Sequence, residues 1–160
     1  MRSVSRRGYL LGLALSLPMS FPGMLHAASG KPLSEYTPRM SEEFKALLRQ
    51  ATPEQGAQIF ERKCSSCHDA EKNGGHGKGP HLWNVVGRKA GSAPGFDGYS
   101  EAMKNSGHVW TLDALNYYLT RTDVAVPGRV MNFRGIRRDK PRARLLRFLH
   151  SLSDTPAPLP

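Results

Sequence analysis

The apolar positions of this chain fall into four patterns with helical spacing, separated by polar and glycine-rich stretches. The first pattern starts after Ser41 and the second after Thr52, and either hydroxyl can cap the N-terminus of a helix. In the second helix, Pro53 at the first helical position and Gln55 at the third complete a capping box. The expected inward face of the first helix consists of Phe44, Leu47 and Leu48. These signals predict two consecutive short helices.

Two more patterns follow in the C-terminal half, with Thr111 as the expected cap of a third helix and Asp139 of a fourth. Their inward faces are formed by Leu112, Leu115, Tyr118 and Leu119 in the third helix and by Leu145, Phe148, Leu149 and Leu152 in the fourth. The arginines of the fourth helix are expected to face solvent. Together the patterns predict an all-α fold of three to five short helices.

The segment between the second and third helices, residues 69–109, carries nine glycines and little periodicity, which predicts long loops. Loops of that length are uncommon inside a compact domain unless they are functional or wrap around something. The few short helices also make a thin apolar core. We therefore expect these loops to enclose a large apolar body that the protein chain does not itself supply.

The first 27 residues have the parts of an export signal. Arg2, Arg6 and Arg7 supply a positive start, Tyr9–Leu17 is a short apolar run, and Ala27 stands at the expected cleavage point. A membrane anchor needs about 20 apolar residues, roughly twice this run. The arginine pair also fits a twin-arginine signal, which exports folded proteins. The pattern predicts a periplasmic protein, cleaved near Ala27 and without stable membrane insertion.

The rest of the chain divides into three parts. Residues 28–52 are expected to form an N-terminal extension that begins as a loose lead-in and contains the first helix. Residues 53–153 suit one domain of ordinary size. Residues 154–160 are rich in proline and are expected to form a flexible tail.

The charge balance indicates the kind of partner. The chain has 23 Lys and Arg against 13 Asp and Glu, a net charge of +10, and loss of the three arginines in the signal leaves 20 against 13, or +7. A basic surface attracts partners with acidic surfaces. The basic residues are not interleaved with aromatic residues, so the sequence does not favour binding to nucleic acid.

The two cysteines of the chain, Cys64 and Cys67, precede His68 in a C-x-x-C-H motif, the attachment signature of a c-type haem. At the end of a helix, positions i and i+3 lie on the same face, so both thiols can reach the two vinyl groups of one porphyrin. The following histidine is then directed at the iron. The motif therefore predicts one haem, attached by two thioethers and ligated by His68.

Two other interpretations of the motif remain at this point. A thioredoxin-like C-x-x-C redox pair would need a βαβ setting, and this chain does not alternate strands with helices. A zinc site would need two more good ligands, for which His76 and His81 are the candidates, although their spacing fits no established pattern.

The residue on the other side of the iron distinguishes an electron carrier from a ligand-binding or catalytic haem. The candidates are the remaining histidines and the six methionines. Met131 stands out because the Pro127-Gly128 turn just before it can swing a loop over the haem face. Spacing alone leaves open that Met131 only packs in the core.

From Gly56 to Leu152 the chain resembles the class I, mitochondrial-type cytochromes c. The matching motifs are, in order, Gly56-x-x-x-Phe60-x-x-x-Cys64-x-x-Cys67-His68, Lys78–Leu82, Gly87–Gly91, Ala93–Phe96, Tyr99, Trp110 and Met131. The resemblance implies the small cytochrome c fold, in which short helices and long loops wrap around one covalent haem c. It also implies an exported monohaem electron carrier that is not an enzyme.

The resemblance implies roles for individual residues. Cys64 and Cys67 would form the thioethers, His68 and Met131 would bind the iron, and the Pro80 carbonyl would accept the Nδ1–H of His68. Tyr99 and Trp110 would hydrogen-bond a buried propionate, Arg88 would offset its charge, and Tyr118 would approach the Met131 sulfur. Gly56 and Phe60 would pack against Leu145 and Phe148 where the first and last helices of the family fold cross.

The chain departs from the family at several of these places. Arg129 stands two residues before Met131, where threonine is usual, and Asp123 and Val130 replace basic residues around the exposed haem edge. Basic residues remain at positions 63, 137 and 138. The extension has no counterpart in the short members of the family.

The expected function is periplasmic transfer of single electrons by a monomer that docks redox proteins with acidic surfaces at its haem edge. Because haem is attached outside the cytoplasm in this family, the chain is expected to cross unfolded by the general secretion route. Two alternatives remain. The first is a haem enzyme or gas-binding cytochrome with an open sixth site, and the second is the haem subunit of a periplasmic dehydrogenase complex.

Overall fold

Helices supply the regular structure of residues 30–160, the part of the chain that the computed structural model describes. They are α1 (Glu42–Gln50), α2 (Pro53–Lys63), α3 (Glu101–Lys104), α4 (Leu112–Thr120), α5 (Thr122–Ala125) and α6 (Asp139–Ser151). Within this part, extended backbone pairs only in an isolated bridge between Lys89 and Val109. The predicted all-α fold is confirmed, whereas the predicted export signal lies outside the described residues. None of these helices is long and apolar enough to cross a membrane.

Three of the predicted helix starts are where the sequence signals put them. The hydroxyl of Ser41 accepts the Phe44 N–H at the start of α1, and that of Thr111 accepts the Ala114 N–H at the start of α4. At the start of α2, Thr52 and Gln55 form both hydrogen bonds of the capping box. Local hydrogen bonding at the N-terminus therefore determines where each of these helices begins.

The helix count and the start of α6 differ from the prediction. The four predicted helices are present, but α3 and α5 bring the number within residues 30–160 to six. Each of these two has only four residues, too few to show a periodic pattern. Asp139 is not the cap of α6 but its first helical residue, and the N-cap is Arg138 without a side-chain hydrogen bond. The Asp139 carboxylate instead lies in the first turn, where the positive end of the helix dipole stabilises its negative charge. It also pairs with Arg142.

One arginine of α6 faces inward, contrary to the expectation that all of them face solvent. Arg142 is only 4% exposed. Its guanidinium donates to Asn116 Oδ1 in α4 at 2.7 Å and to the carbonyls of Ile136 and Arg137 at 2.7 and 2.9 Å. It also lies 5.0 Å from the centre of the Phe44 ring in α1. A buried arginine is tolerated when its donors are paired, and here it joins α6 to two other helices.

The closest helix packing in the domain is between α2 and α6. A Cβ placed on Gly56 would lie 2.1 Å from the carbonyl oxygen of Arg144 and 2.5 Å from the Cβ of Phe148. The rings of Phe60 and Phe148 are 5.3 Å apart. Absence of a side chain at Gly56 therefore lets the two backbones touch. This contact directs the C-terminal end of α2 and the residues that follow it.

The extension packs against the domain and is not a loose lead-in. The Leu33 N–H donates to the Ala125 carbonyl at 2.8 Å, and the Met40 N–H donates to Asp113 Oδ1 at 2.6 Å. The side chains of Leu33 and Met40 are buried in the core, as are those of Phe44 and Leu48 of α1. The segment before α1 thus contacts α4 and α5, while α1 itself packs against α6.

The C-terminal tail, expected to be flexible, also contacts the domain. The Asp154 carboxylate accepts hydrogen bonds from the side chains of Trp83 and Asn84, and the Pro160 carbonyl accepts one from Arg49. The side chain of Leu159 packs against the core. Proline-rich composition suggested fraying, but these contacts tie the tail to the loop after α2 and to α1.

We expect Gly56→Ala to lower the free energy of unfolding by about 2 kcal/mol or more, because overpacking a closed contact forces backbone shifts. Urea unfolding followed by circular dichroism measures this change. Gly75→Ala is the matched control, since a Cβ there would meet nothing within 4 Å. Equal stabilities of the two variants would contradict the close contact between α2 and α6.

Candidate haem site

A tight turn directly after α2 brings the C-x-x-C-H residues together. Cys64 ends the helix, and its carbonyl accepts the N–H of Cys67 at 3.0 Å and that of His68 at 2.9 Å. The chain therefore reverses within four residues, and both thiols and the imidazole are held near the same helix end. The position of this end is set by the α2–α6 contact.

The state of the two thiols argues against a redox pair. Cys64 and Cys67 are both half-buried. Burial raises the pKa of Cys64 to about 11, although the charge of Lys63 opposes this shift. Redox-active cysteines in C-x-x-C motifs have lowered pKa values, because the thiolate is the attacking species.

A zinc site is likewise unsupported. No group of three or more His, Cys, Asp or Glu side chains in residues 30–160 is arranged to hold a metal ion. The ring nitrogens of His76 face the Pro94 carbonyl and the His81 N–H, and Nε2 of His81 faces the Glu71 carbonyl. Both rings already have backbone partners and are not directed at the cysteines.

His68 is oriented as a metal ligand. Its Nδ1 lies 2.7 Å from the Pro80 carbonyl, which can only accept, so Nδ1 carries the proton and Nε2 keeps its lone pair. A Cβ on Gly79 would lie 2.3 Å from the ring, so this glycine lets the loop close onto the imidazole. Burial lowers the pKa of His68, which favours the neutral imidazole that metal binding requires.

Met131 has a polar partner inside the core. The Tyr118 hydroxyl donates to the Met131 sulfur at 3.8 Å, and the Tyr118 ring lies 4.9 Å from that of Trp110. Burial raises the pKa of Tyr118, so the phenol stays protonated and can donate. The three residues form one cluster between α4 and the loop after α5.

Arg88 offers a site for a negative group. Its two terminal nitrogens donate to the carbonyls of His81 and Trp83 at 3.0 and 3.4 Å. Its Nε is buried and has no hydrogen-bond partner among the described residues. A buried unsatisfied donor on a cation is costly unless an anion reaches it, which a haem propionate would do. The residues present therefore fit the cofactor that the C-x-x-C-H motif implies.

The remaining predicted site residues are positioned less directly. The Tyr99 hydroxyl accepts the Ala93 N–H at 3.3 Å, which leaves its own proton available. A cavity of about 580 Å³ is lined by Cys67, His68 and Phe148 but not by Met131 or Tyr118. It lies beside the attachment turn, so the donor atoms and their partners identify the site better than cavity size does.

Sequence reasoning missed several supporting residues. It did not assign a role to Gly79, although its neighbours Lys78 and Pro80 carried a motif. It gave no account of Thr122 and noted Arg129 only as a departure from the family. Sequence spacing could not identify Thr122 and Arg129, because their contact joins α5 to the loop around Met131.

Comparisons with known proteins find relatives over most of the described residues. A family model described as Cytochrome c matches residues 53–153. A cytochrome c homolog of Bradyrhizobium diazoefficiens is 41% identical over 120 residues, which cover 75% of this chain and 65% of that relative. Cytochrome c2 of Rhodomicrobium vannielii is 44% identical over 97 residues, covering 61% of this chain and 76% of that relative. Cytochrome c of Theileria annulata is 38% identical over 107 residues, covering 67% and 91%. The match thus spans slightly less than two thirds of the first relative and most of the other two.

We expect wild-type protein to keep haem after denaturation, and Cys64→Ser/Cys67→Ser to release it, because no thioether can then form. Haem-stained denaturing gels and intact-protein mass spectrometry measure the attachment. Ser65→Ala/Ser66→Ala is the matched control within the same turn and should keep its haem. Covalent haem in the cysteine variant would contradict the assignment.

Proposed function

We propose that this chain, which belongs to the cytochrome c family, carries single electrons between redox proteins outside the cytoplasm, with His68 and Met131 as the ligands of its haem iron. It is a class I c-type cytochrome with a covalent haem c, and the Cys64 and Cys67 pair fits the attachment motif. Family membership makes it a haem-based electron carrier. Its ligand set, location and mode of shuttling are our proposal.

The observation that carries the proposal is that two candidate ligand side chains, His68 and Met131, are each held by a hydrogen-bond partner. His68 is oriented by the Pro80 carbonyl at 2.7 Å, and the Met131 sulfur is contacted by the Tyr118 hydroxyl at 3.8 Å. When bound, the haem supplies the single-electron chemistry of its iron. As its ligands, His68 and Met131 would leave the iron without an open position, and the soft thioether of Met131 would favour the reduced form.

The chain's own residues keep reorganisation small. The imidazole of His68 packs against Gly79, and its Nδ1 is hydrogen-bonded to the Pro80 carbonyl, so the ring has little freedom to turn. The carbonyls of His81 and Trp83 hold the Arg88 guanidinium, which would offer a fixed positive charge to a haem propionate. Groups that are already oriented need not move when the charge on the iron changes, which suits fast electron transfer.

An open sixth site is less well supported. It would require Met131 to leave the cluster with Tyr118, which is buried, and Trp110. A permanent place in a dehydrogenase complex would need an uncovered apolar surface. Among residues 30–160, the only exposed large apolar side chains are Val109 and Val130, and the extension buries its own apolar residues within this chain. These features support a monomer that docks briefly.

We propose that residues 1–27 are an export signal and that the protein works in the periplasm. The basis is the positive start, the short apolar run and the small residue Ala27. The N-terminus of the haem-containing protein, determined by mass spectrometry on a periplasmic fraction, should be residue 28. A haem protein that retains Met1 would contradict this proposal.

We propose that docking uses the basic side chains that remain at the expected haem edge. Lys63, Arg137 and Arg138 are all exposed, and Val130 is 70% exposed beside Met131. Opposite charges steer the encounter over a distance, and a small contact allows rapid release. Partners with acidic surfaces fit this arrangement best.

We expect oxidation of the reduced protein by anionic ferricyanide to slow as salt rises, because salt screens the attraction. Arg137→Glu should slow this reaction more than Arg39→Glu, the matched control, which makes the same charge change on an exposed residue of the extension. Stopped-flow absorbance measures both rates. Equal effects of the two variants would contradict a docking face at Arg137.

A further inference from the structure

The loop that carries Met131 is closed at its base by a small hydrogen-bond network around the buried Thr122. Arg129 and Phe133 lie two residues before and two residues after Met131, and both contact Thr122 of α5. The Arg129 Nε donates to Thr122 Oγ1 at 2.7 Å, and the Thr122 hydroxyl donates to the Phe133 carbonyl. The Arg129 Nη2 reaches the same carbonyl at 3.4 Å.

The chemistry of each group suits this closed arrangement. A threonine hydroxyl has one proton and two lone pairs, so Thr122 can donate to the Phe133 carbonyl while accepting from Arg129. Thr122 is 0% exposed, so water does not compete for its hydroxyl. Hydrogen bonds to a charged donor in a site of low dielectric are stronger than those at the surface.

The helix on which the network rests is itself held in place. At the end of α5, the Val126 N–H donates to the Thr122 carbonyl at 3.1 Å. Just before it, the Ala125 carbonyl accepts the Leu33 N–H of the extension at 2.8 Å. Beyond the loop, the Ile136 N–H donates to the Leu119 carbonyl at 2.6 Å. Arg129 and Phe133 are therefore tied to a fixed base.

We infer that Arg129 and Thr122 are positioning residues, which clamp the loop on both sides of Met131 and hold its sulfur in place for the iron. This inference rests on the proposed role of Met131 as a ligand. Arg129 acts here through its hydrogen bonds, since its guanidinium is directed at Thr122 and the Phe133 carbonyl. The clamp slows the departure of Met131 from the iron. It therefore also slows the binding of any other ligand at that position.

Four variants test the clamp. Thr122→Val removes the hydroxyl at nearly constant volume, while Thr122→Ser keeps it. Arg129→Lys keeps the charge but loses the planar fork that reaches two oxygens at once. Arg134→Gln is the matched control, because Arg134 is an exposed arginine three residues after Met131.

The first measurement is hydrogen–deuterium exchange of the peptide covering residues 126–136 in the haem-containing protein. The second is the rate at which saturating imidazole binds the ferric protein, which reports how often Met131 leaves the iron. Thr122→Val and Arg129→Lys should each speed both processes about tenfold or more, the scale of losing a hydrogen bond to a charged group. Thr122→Ser and Arg134→Gln should behave like the wild type.

Unchanged exchange and unchanged imidazole binding in either Thr122→Val or Arg129→Lys would overturn the clamp. If Thr122→Val does not fold, Arg129→Lys alone decides. Failure of the proposed function has a different signature. In that case wild-type protein would bind imidazole without a slow step, while the exchange of residues 126–136 would still report whether the loop is clamped.

Discussion

The attachment of one large apolar cofactor to the turn after α2 is the constraint on which the rest of this structure depends. Residues 30–160 have only short helices, and the long loops between α2 and α4 are interrupted only by α3, so the chain's own apolar side chains make a thin core. Haem c supplies the missing apolar volume. The closed α2–α6 contact at Gly56 matters for this reason, because it determines where Cys64, Cys67 and His68 stand.

The two proposed ligands of the iron are positioned by different kinds of contact. His68 is fixed locally, by the carbonyl of Pro80 and the bare backbone of Gly79, both within twelve residues of it. Met131 depends on contacts from distant parts of the chain: Tyr118 in α4 and the Thr122 network in α5, which the extension supports through Leu33. In our account Met131 is therefore the ligand that leaves the iron first, and the extension stabilises the loop that carries it.

Local signals explain what could be predicted from sequence. A hydroxyl before an apolar pattern located the starts of α1, α2 and α4, because capping is a contact within three residues. The C-x-x-C-H motif indicated the cofactor for the same reason. What could not be predicted depends on distant partners. The burial of Arg142, the packing of the extension and the contacts of the tail each arise from residues far apart in the chain. A short helix such as α5 leaves no periodic trace.

The central claim is that the iron is closed on both sides, by His68 and Met131. The most direct test is the optical spectrum of purified protein, oxidised and then reduced, with carbon monoxide added to the reduced form. Our account predicts the weak red band of a ferric iron bound by methionine sulfur, and no change on adding carbon monoxide. A spectrum that shifts with carbon monoxide would show an open sixth position and contradict the account.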